Sequence, residues 1–336
     1  MNGERKALIA MLVATAIWGV AAPVIKYTLE YIPPFSFLFY RFLIVCILLF
    51  PFVYTELRQQ RVSLKEFPAL AISGILGQTS LILIFIGLEY TSSLDVAVIG
   101  IIAPLLMVAT GHYFFNDKVN KDIGIGLTIA SFGTLILAIG PILDSNHSAI
   151  PKILRIWGNI IVVIYNLVWT VFVLWSKRIR GENSLKISEA AKFLGIPIPK
   201  KKYSSQLITG VSFYVGLVTM IPFYILESTG KIGGGAFSIV DLGLGGWVGL
   251  LYMAILSSIV AYGLFEWSLK YLKVSDTAIF SYIAPIFTLP AAFLILGELP
   301  TKSIIIGSAV VAVGILVSER NNLLQNAKRA DIITRP

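Results

Sequence analysis

Apolar residues are arranged in long, nearly unbroken stretches, with neither the strict alternation of a half-buried strand nor the one-sided period of a surface helix. Ten stretches stand out, near residues 7–29, 35–54, 67–88, 94–115, 122–140, 156–175, 206–226, 246–268, 275–296 and 303–318, separated by short segments rich in Pro, Gly or charge. About 20 apolar residues suffice for a helix to cross roughly 30 Å of hydrocarbon with every backbone polar group satisfied internally. The pattern predicts an all-α integral membrane protein with ten transmembrane helices. The first run follows Glu4, Arg5 and Lys6 and is too long for the apolar part of a signal peptide.

Composition agrees with that pattern. Of 336 residues 57% are apolar and 13% charged, about half the charged fraction of a soluble domain, and the mean hydropathy is +0.84. Lipid is the solvent this chain is built for. A net charge of +9 would raise nucleic acid as a partner for a soluble protein, but its distribution gives it another meaning. With ten spans, both termini and the even-numbered loops share one face, and that face holds twenty-one of the 27 Lys and Arg residues. The opposite face holds five, counting Lys26 at the outer end of the first span, and Arg41 alone lies well within a span. The positive-inside rule therefore predicts a multi-pass cell-membrane protein with both termini cytoplasmic, and nucleic acid is not needed as a partner. Cys46, His112 and His147 are the only Cys and His residues. They cannot assemble a soft-ligand metal site, and no cofactor is expected.

The chain also repeats. Displaced by 181 residues, Tyr90, Asp95, Ala97, Ala103-Pro104, Lys121, Gly126 and Gly133 fall on Tyr271, Asp276, Ala278, Ala284-Pro285, Lys302, Gly307 and Gly314, and Asp117 falls on Glu298. A displacement of 151 superposes Trp18 and Lys26 on Trp169 and Lys177, and one of 171 superposes Pro51 on Pro222. Each copy holds five spans. An odd number forces the copies into opposite orientations, an architecture used by many secondary transporters. The predicted organisation is a first five-helix repeat at 1–148, a second at 149–320 containing a basic cytoplasmic loop at 177–206, and a tail at 321–336.

Trp18-Gly19 with Lys26, Pro33-Pro34, Arg41-Phe42 and Leu88-Glu89-Tyr90-Thr91-Ser92-Ser93 resemble the first half of EamA-type members of the drug/metabolite transporter superfamily. Ala261-Tyr262, Trp267, Leu269-Lys270-Tyr271, Ser281-Tyr282, Ala284-Pro285 and Gly297-Glu298 resemble the second half. The resemblance runs from about residue 7 to 318. It implies two inverted five-helix repeats around a central cavity, with export or exchange of amino acids or other small metabolites. The loop from Lys177 to Gln206 is longer and more basic than usual, and Asn116-Asp117 stands where Gly-Glu is commoner.

A charge within a span needs a partner, a wet cavity or a function, because it costs about 2.5–3.5 kcal/mol on insertion scales. For Arg41 two readings stand open: a cavity cation holding a carboxylate or phosphate by paired donors, or an ion pair with Glu89 or snorkelling to the surface. Lys26 presents the same choice between an anionic substrate and an interfacial role. Glu89 and Glu266 lie too near span ends to read as proton-coupling carboxylates. The cavity candidates are Trp18, Tyr40, Arg41, Gln78, Tyr165, Asn166, Trp169, Ser257, Ser258, Tyr262, Ser281 and Tyr282, a few polar groups among apolar walls. Pro104 and Pro285, equivalent in the two copies, are candidate gating hinges or static bends. Gly126, Ala130, Gly133, Gly307 and Gly314 give small faces for close helix approach, within a monomer or a homodimer. Leu185, Ile187, Ala190, Ala191, Phe193 and Leu194 suit a short helix on an anionic inner leaflet, or else a solvated linker. Gly233-Gly234-Gly235 lacks the Lys-Ser/Thr of a phosphate-binding loop, and no nucleophile with a base is apparent. The expected function is secondary transport of small organic metabolites by alternating access, with exchange of phosphorylated metabolites or nucleotide sugars as the alternative. A membrane enzyme or scaffold is disfavoured.

Overall fold

The computed structural model describes residues 3–100, 102–103, 106, 110, 113–114, 121–143, 150–181, 184–199, 201–233, 237–268, 271, 274–314 and 316–317, with the side chains of 3, 4, 123, 127, 138, 141–143, 205, 266 and 274–283 left aside. Among the described residues the regular structure is helical, without strands. Six helices among them are long and apolar enough to cross a membrane, at Arg5–Thr28, Pro34–Gln60, Phe67–Tyr90, Lys152–Ile179, Gln206–Ser228 and Leu244–Phe265. Shorter apolar helices at Gly124–Leu137, Ala284–Leu296 and Lys302–Gly314 fall on three further predicted spans.

We number the helices in chain order: α1 (Gly3–Thr28), α2 (Pro34–Gln60), α3 (Phe67–Tyr90), α4 (Ser93–Ile99), α5 (Lys121–Leu143) and α6 (Lys152–Ile179). After them come the short α7 (Leu185–Phe193), then α8 (Ser205–Ser228), α9 (in three pieces, Leu244–Leu251, Tyr252–Val260 and Ala261–Ser268), α10 (Val274–Leu296) and α11 (Lys302–Gly314). The helix ends follow local chemistry. Pro34 opens α2, where its missing N–H costs nothing. Ser92, Ser184 and Ser204 accept from backbone N–H groups in the first turns of α4, α7 and α8.

Two helices are interrupted in their middles. Ile75–Thr79 in α3 and Tyr252–Val260 in α9 are π-helical, and wide turns of this kind free backbone and side-chain groups from the regular ladder. The main packing pairs are α2 with α8, α1 with α10, α3 with α6, α3 with α8, and α1 with α9.

The α2–α8 pair is antiparallel, and each helix end reaches the start of the other. Glu227, near the end of α8, accepts the backbone N–H groups of Phe35 (3.2 Å) and Ser36 (2.5 Å) at the start of α2. Glu56, near the end of α2, accepts the Ser204 hydroxyl (2.9 Å), and Gln60 Oε1 accepts the Ser204 N–H (2.9 Å) at the start of α8. The Glu227 carboxylate satisfies backbone donors at the start of α2, and both carboxylates complement a positive helix end.

The small faces of α5 and α11 meet within one chain. A Cβ on Gly133 would lie 2.8 Å from the Val311 backbone nitrogen, and one on Gly314 would lie 2.6 Å from the Ala130 nitrogen. Because the obstacles are backbone, the helices themselves would have to part. Gly133→Leu is therefore expected to lower stability by at least about 1–3 kcal/mol, read as a drop in melting temperature of the detergent-purified protein. A wild-type melting curve would show that the two helices separate freely at this point.

The basic segment carries the short helix its apolar residues predict. In α7, Ile187 and Ala191 turn inward onto a cluster with Ala69, Leu70, Trp175, Ile179, Tyr203 and Leu207. Leu185 and Phe193 are 82% and 90% exposed.

Candidate functional site

The π-helical stretch of α9 organises the buried polar centre. Its side-chain and backbone bonds reach five residues back: Ser258 Oγ donates to Met253 O (2.8 Å) and Ala261 N–H to Leu256 O. Ser258 Oγ in turn accepts from Arg41 Nε of α2 at 2.9 Å, and Ser257 O accepts the indole N–H of Trp18 of α1 at 3.1 Å. Tyr262, one turn on, meets Trp18 edge-on with ring centroids 5.2 Å apart, and Phe213 of α8 at 5.9 Å. Tyr165 of α6 and Tyr262 both lie close enough to the Arg41 guanidinium to act on its charge. Trp169, the repeat mate of Trp18, adjoins Tyr165 at 6.3 Å and Phe172 at 4.9 Å. Trp18, Arg41, Tyr165, Trp169, Ser257, Ser258 and Tyr262 are thus assembled around one centre from α1, α2, α6 and α9.

Other candidates point elsewhere. Tyr40 shares a hydroxyl–hydroxyl bond of 2.7 Å with Tyr224, whose ring stacks on Phe39 at 4.1 Å, so it belongs to the α2–α8 seam. Asn166 donates to Val162 O of its own helix (2.8 Å). Gln78 sits in the π stretch of α3, 1% exposed, and its amide reaches Ser212 Oγ at 3.4 Å while Oε1 has no partner. Ser281 and Tyr282 lie on the α10 backbone, with side chains outside those described, and Pro104 and His112 lie outside the described residues. Pro285 is interior to α10. Beside it Thr288 Oγ1 donates to Gly19 O at 2.7 Å, pinning α10 to α1. Two apolar grooves are open to the outside of the bundle, one of about 520 Å³ against Phe132 and Val310, the other of about 470 Å³ between α2, α3 and α8. Neither includes a predicted site residue.

A second polar assembly joins the ends of α1, α3, α4, α6 and α10, and sequence reasoning did not combine it. Asp95 and Arg155 form a buried ion pair, with both Arg155 Nε and Nη2 2.8 Å from Asp95 Oδ2. The Thr91 hydroxyl lies between Asp95 Oδ2 (2.9 Å) and the Asn159 side-chain carbonyl, and Asn159 Nδ2 donates to Leu137 O at 2.9 Å. The left-handed Gly297 (φ +66°) ends α10 and turns Glu298 toward the start of α4. There its carboxylate accepts from Ser93 N (3.0 Å), Ser93 Oγ (2.6 Å) and Leu94 N (3.3 Å). Lys26 donates to the carbonyls of Thr91 and Leu88 and stands 3.9 Å from Glu298 Oε1. Asp95 and Glu298 stood out in sequence as markers of the repeat, Glu298 also in the family resemblance, and Arg155 was not singled out. The acid-on-acid matches of Asp95 and Glu298 in the repeat register were the available signal. Neither an Arg41–Glu89 pair nor any other carboxylate contact to Arg41 forms among the described residues.

Helices of this length and hydropathy, with polar side chains gathered inside the bundle, define a multi-pass membrane protein. Residues 5–139 and 156–319 match the EamA-like transporter family, one match for each predicted repeat. The chain belongs to that family. Among relatives, an uncharacterized transporter of Archaeoglobus fulgidus is 24% identical over 95% of this chain and 98% of its own length. A probable amino-acid metabolite efflux pump of Salmonella typhimurium is 22% identical over 94% of this chain and 95% of its own. A protein of known crystal structure, 16% identical, aligns over 93% of this chain and 96% of its own with a TM-score of 0.55, and so shares the fold.

Proposed function

We propose that the chain is a secondary transporter that moves small organic metabolites, amino acids or related compounds, out of the cell by alternating access. The two units are the five-helix halves at 1–148 and 149–320, inverted in a cell membrane with both termini cytoplasmic. The observation that carries this reading is the reciprocal α2–α8 contact. Glu56 and Glu227 stand 171 residues apart, the displacement that aligns Pro51 with Pro222, and each reaches the opening of the opposite helix. A two-fold relation between antiparallel helices accounts for this directly. The π-helical interruptions in the third helix of each copy and the pairing of α3 with α6 against α1 with α9 support the same relation.

Substrate binds at the centre formed by Trp18, Arg41, Tyr165, Trp169, Ser258 and Tyr262. Pro285 is the bending point of α10. The metabolite efflux pump among the relatives supports export. Engagement of Lys26 by Glu298 and two carbonyls leaves Arg41 as the cation at the centre, which weighs against a phosphate exchanger.

Proteoliposomes loaded with amino acids, nucleosides, sugar phosphates and cationic amphiphiles test the reading. Counterflow of at least one amino acid or related metabolite is expected. Intact, oriented protein that moves none of the panel under any imposed gradient would refute transport.

A further inference from the structure

Arg41 is 3% exposed and lies within a membrane span. Its Nε is taken by Ser258, and its Cζ stands 5.9 Å from the Phe42 ring centroid. Among the described residues no carboxylate pairs with it, and neither terminal Nη nitrogen has a hydrogen-bond partner. A guanidinium offers five N–H donors in a planar fork. Here one is spent on holding the group in place, and the edge suited to two parallel bonds is left unmatched. Ser258 is itself fixed by its bond to Met253 O, so the orientation of the fork is set before any ligand arrives.

Charged groups inside a membrane are retained in pairs or at sites of function, and the missing partner here is an anion. Its charge follows from the surroundings. Besides the serine, the Phe42 ring lies beside the guanidinium, the phenols of Tyr165 and Tyr262 are near enough to act on its charge, and Trp18 packs on Tyr262. One positive charge in a low-dielectric centre neutralises a single negative charge, whereas a phosphate dianion would leave a buried net charge that no described residue offsets. The aromatic neighbours suit an apolar body attached to that anionic end.

We infer that Arg41 is the anchor for a substrate carboxylate, received by its two terminal nitrogens, with the apolar part of the substrate against Trp18, Tyr165 and Tyr262. This inference rests on the transport reading for its biological use, but binding can be tested without transport. The full-length protein in detergent is titrated with 3-phenylpropionate, its neutral amide and phenethyl phosphate, following thermal stabilisation. The carboxylate is expected to bind at least tenfold more tightly than its amide and more tightly than the phosphate ester. Arg41→Lys retains the preference in weakened form, and Arg41→Gln loses it. The wild-type comparison decides even where the Gln variant fails to fold. Equal binding of acid and amide, or a stronger phosphate ester, overturns the inference. Carboxylate binding without movement in proteoliposomes would instead overturn the transport reading, and movement of compounds without carboxylate preference would overturn only this one.

Discussion

Arg155→Leu is expected to leave little folded protein. Asp95 is 1% exposed and Arg155 7% exposed, and two contacts of 2.8 Å join them. Removing the cation strands a carboxylate away from water, at a cost of about 3–5 kcal/mol for breaking a buried pair. That is a large part of the roughly 5–15 kcal/mol by which folded proteins are usually stable. Thr91 has a single proton to give and stands between Asp95 and Asn159, so it is a poor substitute for a guanidinium. Asp95→Asn also removes the counter-charge of the buried guanidinium and should destabilise, but by less, because the amide oxygen can still accept from Arg155. The double variant Asp95→Leu/Arg155→Leu should recover much of the loss, since neither charge then remains. Size-exclusion recovery after detergent extraction, with the melting temperature of the recovered fraction, measures all three. An Arg155→Leu variant that matches wild type in both would show that the pair carries no net stability.

The broad architecture was legible because hydrocarbon imposes its demand residue by residue along the chain. The apolar run at 35–54 is the heart of α2, and Pro33-Pro34 marks its start. Facing positions within the bundle were less legible, since a membrane span is apolar on both its lipid and its protein sides. Tyr40 reads as a cavity residue through the family resemblance, yet its hydroxyl belongs to Tyr224 across the seam. Trp18 and Arg41 come to one centre through the wide turn at Tyr252–Val260, where displaced backbone bonds present Ser257 O and Ser258 Oγ to them. No sequence pattern announces such a turn, because it depends on how neighbouring helices take up the freed groups. The Asp95–Arg155 pair was hidden for a related reason: each residue reads as an ordinary helix-end charge until the fold closes α4 on α6.

Glu298→Ala is expected to loosen the membrane face to which Lys26 and Glu298 belong, the outer face by the positive-inside reading. Glu298 lies outside any helix, on the turn after α10, and gathers three donors from α4 with Lys26 of α1 nearby. These contacts link the two proposed halves at their ends, and alternating access requires such contacts to break when that face opens. Hydrogen bonds to charged groups contribute about 1.5–3 kcal/mol each. Loss of even one net bond from the closed state shifts the open population by about tenfold per 1.4 kcal/mol. Cys46 is the sole cysteine, so a Cys46→Ala chain with a new cysteine at Ala22, one turn below Lys26, reports opening through its reaction with a membrane-impermeant maleimide. Labelling about tenfold faster in the Glu298→Ala background is expected. Glu56→Ala is the control: that carboxylate accepts the Ser204 hydroxyl at the opposite ends of α2 and α8, away from the face reported by Ala22, so its loss should not speed labelling. Were labelling unchanged by Glu298→Ala in well-folded protein, Glu298 would be a static helix cap, and opening of this face would have to break other contacts.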